Sequence, residues 1–178
     1  MKAKYYSNRL SQTVISLLML GFIILSASGQ SIMDDTKREW GKTINGMKLS
    51  IMTTNKEVFS IGEPIIIDIS LKNVGTNEIP LAMPPLGLDL NLNVMLPNKA
   101  AAPLTAYGKT IIGNAGMTVE TIMLKPGTSI PSYVAPSLDK MFQLNQTGTF
   151  TVSAEWTVKS HGHSVEVVSN EIKITIIK

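Results

Sequence analysis

Three stretches of this chain alternate apolar and polar residues with period two, the spacing that sends successive side chains to opposite faces of a strand. In the first, Ile65, Ile67, Ile69 and Leu71 share one face, and Ile66, Asp68, Ser70 and Lys72 the other. The second sets Leu88, Leu90, Leu92 and Val94 against Asp89, Asn91, Asn93 and Met95. The third is the longest: Phe150, Val152, Ala154, Trp156 and Val158 point inward, while Thr149, Thr151, Ser153, Glu155, Thr157 and Lys159 point outward. Each pattern predicts a half-buried strand with one face on a core and one in water. Asp68, Asp89 and Glu155 are therefore expected on solvated strand surfaces, and Trp156 in the core.

Weaker β signals cover Met47–Met52, Ile79–Met83, Met117–Leu124, Val165–Val168 and Ile172–Ile177, several of them rich in β-branched residues. That makes about eight strands. Turn residues punctuate them: Asn45-Gly46, Gly62-Glu63-Pro64, Asn73-Val74-Gly75, Asn114-Ala115-Gly116, Lys125-Pro126-Gly127 and His161-Gly162-His163. No long helical period follows residue 29, and neither an internal repeat nor a low-complexity tract is present. Short strands joined by turns, without intervening helices, predict an all-β antiparallel sandwich over residues 45–178. Two longer connections, Pro97–Gly116 and Pro126–Lys140, carry Tyr107 and Tyr133, the only tyrosines beyond residue 29. Loops on a rigid scaffold are where binding residues concentrate, so these two tyrosines are the candidate ligand-binding residues.

The ends of the chain change the electrostatic picture. Lys2, Lys4 and Arg9 precede an apolar run from Val14 to Leu25, and Ser26-Ala27-Ser28-Gly29 supplies small residues for cleavage, so residues 1–29 read as a secretory signal peptide. The run is shorter than a membrane span of about 20 apolar residues, which limits membrane contact to an uncleaved signal segment. Residues 30–44 form a polar lead-in, with Trp40 its expected docking point. The whole chain has a formal net charge of +3, carried by the three cations of the signal segment; without them Lys+Arg and Asp+Glu balance at 13 each. A neutral, mixed surface has no footprint for phosphate backbones, and nucleic acid is excluded as an expected partner. The chain contains no cysteine, so stability must come from the core without disulfides.

The stretch from Thr54 through Phe59, Gly62-Glu63, the alternating Ile65–Leu71 and Asn73-Val74-Gly75 resembles the opening strands of bacterial secreted immunoglobulin-like domains. Leu144 through Val152 resembles the turn into a penultimate strand of that fold, and Ser169-Asn170 the lead into its closing strand. Phe150 stands where many such domains place a tyrosine whose hydroxyl bonds back to the chain. The first half, Phe59 through Leu92 with Asp89, is also similar to proteinase-inhibitor domains of the BsuPI type. The resemblance implies an immunoglobulin-like β-sandwich and, secondarily, inhibition through an exposed loop such as Pro126–Lys140.

Catalytic chemistry finds little support in the residues. A cysteine nucleophile is excluded by composition, and the only histidines, His161 and His163, share a hairpin turn with no Gly-x-Ser-x-Gly elbow elsewhere. A pair of histidines is short of the three or four ligands of a metal site, Asp34-Asp35 lacks the ordered carboxylates of a calcium loop, and Gly108 and Gly113 lack the Gly-Lys-Ser/Thr of a P-loop. Glu63 belongs to a turn, and Met47, Met83, Met117, Met123 and Met141 are expected as core filler. Asn145-Gln146-Thr147 fits an N-glycosylation acceptor. The expectation is thus an exported, secreted, periplasmic or cell-surface module without catalytic residues, metal or cofactor, and with a protein or surface glycan as its partner at the cell exterior. The alternatives are a secreted proteinase inhibitor and a structural subunit that pairs edge strands through Ile172–Ile177.

Overall fold

The computed structural model describes residues 38–54, 56–82, 89–113, 121–130, 133–160 and 163–178. From Thr36 to Lys178 the chain is one compact unit. Among the described residues ten strands form: β1 (Met47–Thr53), β2 (Val58–Ser60), β3 (Ile67–Asn73), β4 (Ile79–Ala82), β5 (Leu90–Met95), β6 (Thr121–Leu124), β7 (Tyr133–Val134), β8 (Gly148–Ser160), β9 (His163–Val168) and β10 (Ile172–Ile177). Two helices interrupt them, α1 (Ala106–Gly113) and α2 (Leu138–Met141). One sheet has the order β1-β3-β7, the other β2-β10-β8-β5 with β9 also on β8, and β4 pairs with β6 as a separate ribbon. All pairings are antiparallel except β2 on β10. The architecture is an immunoglobulin-like antiparallel β-sandwich.

The alternating rows meet between the sheets. Leu49 and Ile51 of β1 lie opposite Leu71 and Ile69 of β3. The facing row is Phe150, Val152, Ala154, Trp156 and Val158 of β8, flanked by Leu90 and Val94 of β5, Ile174 and Ile176 of β10, and Val167 of β9. All of these are buried. Phe150 fills the core at the position where a tyrosine was the alternative, and Trp156 sits beside Leu90 and Val167 in register. Of the expected filler methionines, Met47 and Met141 are buried; Met123 is not, at 54% exposure on the β4–β6 ribbon, and Met83 and Met117 lie outside the described residues. The ribbon has one face turned to water at that point, which period two allows and a composition argument overlooks.

Turn chemistry sets the register. Asn45 and Gly46 both have positive φ, at 47° and 75°, and the Ile44 and Met47 backbones exchange hydrogen bonds of 2.9 Å across them. This is the two-residue hairpin loop for which Asn-Gly is selected. At Lys125-Pro126-Gly127 the Thr128 N–H closes on the Lys125 carbonyl with Gly127 at φ 75°, as a proline-glycine turn requires. The hairpin of β8 and β9 closes from Ser160 to His163, so His161 and Gly162 make the connection but lie outside the described residues.

Two expectations fail on topology. Asp68 and Ser70 are not solvated: both are buried, Asp68 at 1% exposure, because other parts of the chain cover the outer face of β3. The closing segment Ile172–Ile177 is not an open edge along its length, since β10 pairs with β8 on one side and, over Thr175–Ile177, with β2 on the other. Asp89 lies just before β5 and forms an ion pair with Lys159 at 2.8 Å.

Candidate functional site

The two long connections expected to carry function are structured and joined to each other. In the first, Thr105 precedes α1 and its hydroxyl accepts the Gly108 N–H at 3.0 Å, the bond by which an N-cap satisfies a helix terminus. The same hydroxyl donates to the Lys140 carbonyl at the end of α2. The Thr105 N–H donates to the Met141 carbonyl at 2.9 Å, and the Gln143 N–H to the Pro103 carbonyl at 2.8 Å. Gly108 permits this approach: a Cβ there would stand 2.2 Å from the Met141 carbonyl oxygen. Met141 is buried beneath, and Tyr107, one residue away from Gly108, is 47% exposed.

The second connection is pinned, in its described residues, to β3 and to Ile65 just before it. Ile130 N–H bonds to the Leu71 carbonyl, Ala135 N–H to that of Ile67, and Leu138 N–H to that of Ile65. Tyr133 and Val134 form β7 opposite Ile69 and Asp68. Ser137 receives the Ile65 N–H at 3.0 Å, and its hydroxyl donates to the Asp139 carboxylate. Ile130, Ala135, Ser137 and Leu138 are buried. The described residues from Ile130 to Leu138 therefore run beside β3 as part of a sheet edge, while Pro126, Gly127 and Thr128 stay exposed. Their backbone donors needed partners, and β3 and Ile65 supplied them.

Tyr107 and Tyr133 thus stand on different elements, a helix and an edge strand, with only the first described as an exposed side chain. Thr105 and Gly108, which fix the ledge around Tyr107, carry no periodic signal; the available clue was a threonine three residues before a glycine at a helix start. Among the described residues no three His, Cys, Asp or Glu side chains group as metal ligands. His163 is exposed at the start of β9, and Asp34-Asp35 lies outside the described residues. Glu63 keeps its turn role: it accepts the Ser60 N–H at 3.0 Å and pairs with Lys56. The Lys56 hydrogen bond, and then that of Ser60, hold its carboxyl below the usual carboxylate range.

No protein-family model matches the chain, and no curated protein does. It is similar to the CARDB domain of a Pyrococcus furiosus protein, crystallised in complex with di-metal ions, at 13% identity and a TM-score of 0.39, over 77% of this chain and 94% of that one. It is also similar to a β-glucosidase from Listeria innocua, at 8% identity and a TM-score of 0.34, over 73% of this chain and 16% of that enzyme's chain.

Proposed function

We propose that this chain is a non-catalytic, exported immunoglobulin-like module that binds a protein or surface glycan through the ledge formed by its two long connections. The observation that carries this reading is the arrangement at Tyr107. The ring is exposed on a helix whose first turn is capped by Thr105 and locked against Met141 through Gly108, so it is presented without a large loss of conformational freedom on binding. Tyr133, on β7, is the second candidate residue. Export rests on the charged, apolar and small-residue order of residues 1–29.

Capture from the native extracellular fraction tests the reading. Wild-type protein is expected to retain a partner that a Tyr107→Ala variant, matched by circular dichroism, releases. Equal capture by both proteins would remove the ledge as the binding surface. Inhibition of none of a panel of proteases at micromolar protein would remove the inhibitor alternative.

A further inference from the structure

β10 is paired further on one side than on the other. β8 accompanies it from Ile172 to Ile176, whereas β2 accompanies it only from Thr175 to Ile177. The Thr175 N–H reaches the Glu57 carbonyl at 2.8 Å, and among the described residues no rung of this pairing lies ahead of that bond. Residues that turn their backbone to one neighbour alternate along a strand, so Lys173 turns its N–H and C=O the same way as Thr175, into the gap.

The end of β1 faces the same gap. Its outward backbone groups are those of Leu49, whose carbonyl accepts the Gly41 N–H at 2.9 Å, and Ile51. The Asn170 side-chain amide accepts the Ile51 N–H at 2.9 Å and donates to its carbonyl at 3.1 Å, the two bonds a neighbouring strand would make. By the same alternation the Thr53 backbone points outward next, beyond the reach of Asn170. Between the two edges lies a groove of about 480 Å³, within the range of ligand clefts. Ile51, Met52 and Ile172 line it, and three exposed carboxylates, Glu39, Glu57 and Glu171, stand around it with one exposed cation, Lys173. None of these three carboxylates forms an ion pair among the described residues.

We propose that this groove takes an extended, lysine- or arginine-bearing segment of a second protein, added as a short strand ahead of β2. Main-chain groups of Lys173 and Thr53 supply the hydrogen bonds of strand addition, the half-buried Met52 and Ile172 meet an alternate side chain, and the three carboxylates, outnumbering the Lys173 ammonium, select for positive charge. Asn170 marks where the chain already completes its own edge and the added strand ends. The groove lies on residues separate from the Tyr107 ledge, so failure of one site leaves the other standing.

Fluorescence anisotropy with a labelled peptide alternating lysine and valine tests this. The purified protein is expected to bind that peptide and not its glutamate–valine counterpart, and binding is expected to weaken with salt. The exposed double substitution Glu57→Lys/Glu171→Lys is expected to weaken it by about tenfold. N-methylation of alternate peptide amides, which changes no residue of the protein, is expected to abolish it. In hydrogen exchange the Thr53 and Lys173 amides are expected to exchange freely without peptide and to slow with it. Absence of binding, or binding indifferent to both charge reversal and N-methylation, would overturn the proposal. So would protection of both amides before peptide is added, which would show that the chain fills the groove itself.

Discussion

The outer faces of β3 and β8 carry comparable side chains, Asp68 and Ser70 on one and Ser153 and Glu155 on the other, yet water reaches only the second. On β8 the outer row stays half-exposed along its length, flanked by Asn91 and Asn93 of β5. On β3 the outer row is covered from two directions. The lead-in crosses it: Arg38 pairs with Asp68 at 2.8 Å, Ser50 on the neighbouring strand donates to the Glu39 carbonyl, and the Trp40 ring lies 5.5 Å from the Lys72 ammonium and 6.0 Å from the Arg38 guanidinium carbon. From the other side the Pro126–Lys140 connection lies down as β7, and the Ser70 hydroxyl donates to the Ile130 carbonyl. A polar row on a strand therefore marks a face that is not core. Whether that face meets water depends on segments distant in sequence.

The largest test of this difference is removal of the Asp68 carboxylate. Its pair with Arg38 is buried on both sides, and Asp68 Oδ1 has no hydrogen-bond partner among the described residues, so the carboxylate is only half satisfied. Asp68→Ala takes a carboxylate away from a buried guanidinium and is expected to destabilise the fold by about 3–5 kcal/mol in urea denaturation. An Arg38→Met/Asp68→Leu double variant is expected to recover most of that loss, because the pair's desolvation cost disappears with it. On β8, Glu155→Ala is expected to change stability by no more than about 0.5 kcal/mol. Equal effects at the two sites would mean that the lead-in does not cover β3 in solution.

The alternation of Phe150 to Val158 made β8 legible because period two, inward apolar side chains and flanking turns agree, and the same holds for the Asn45-Gly46 hairpin. β2 and β7 were not legible as strands. Val58–Ser60 is too short for a period, and Tyr133–Val134 is a strand only because β3 offers its edge. The lead-in was read as a polar arm docking at Trp40; Arg38, the deepest of its described residues, looked like one more solvated charge, since a buried arginine is recognisable only by its partner 30 residues on. At the candidate site Tyr107 was legible as a rare aromatic in a long connection. The groove was not, because Thr53, Asn170 and Lys173 meet only through the packing of the two sheets.

Asn73 extends the comparison to the end of β3, where a polar residue continues the core-facing row. It is buried, and its side-chain amide donates to the carbonyls of Asn77 at 2.8 Å and Leu124 at 2.9 Å while its oxygen accepts the Gly75 N–H. One side chain thereby shapes its own turn and ties β3 to the β4–β6 ribbon. Asn73→Ala strands two acceptors and a donor and is expected to cost about 2–3 kcal/mol. Asn73→Asp keeps the acceptor for Gly75 but sets a carboxylate against two carbonyls, so it is expected to be at least as damaging. A mild Asp variant in thermal denaturation would show that the turn alone, and not the tie to β6, needs this residue.

The smallest test uses one chemistry in both places. Ser50 is completely buried beneath the lead-in and its hydroxyl donates to the Glu39 carbonyl, whereas Ser153 stands on the open face of β8 opposite Asn93. Ser50→Ala removes a buried donor and leaves the Glu39 carbonyl unbonded, at an expected cost of about 1 kcal/mol. Ser153→Ala removes a half-exposed hydroxyl on the open face and is expected to stay within about 0.5 kcal/mol. The pair separates two explanations of the first result. If Ser50→Ala and Asp68→Ala both destabilise while Ser153→Ala does not, the covered face is a packed layer to which the lead-in contributes along its length. If Asp68→Ala alone destabilises, the arm is held at one point, and the burial of Ser50 is a consequence of that anchor and not a second support for it.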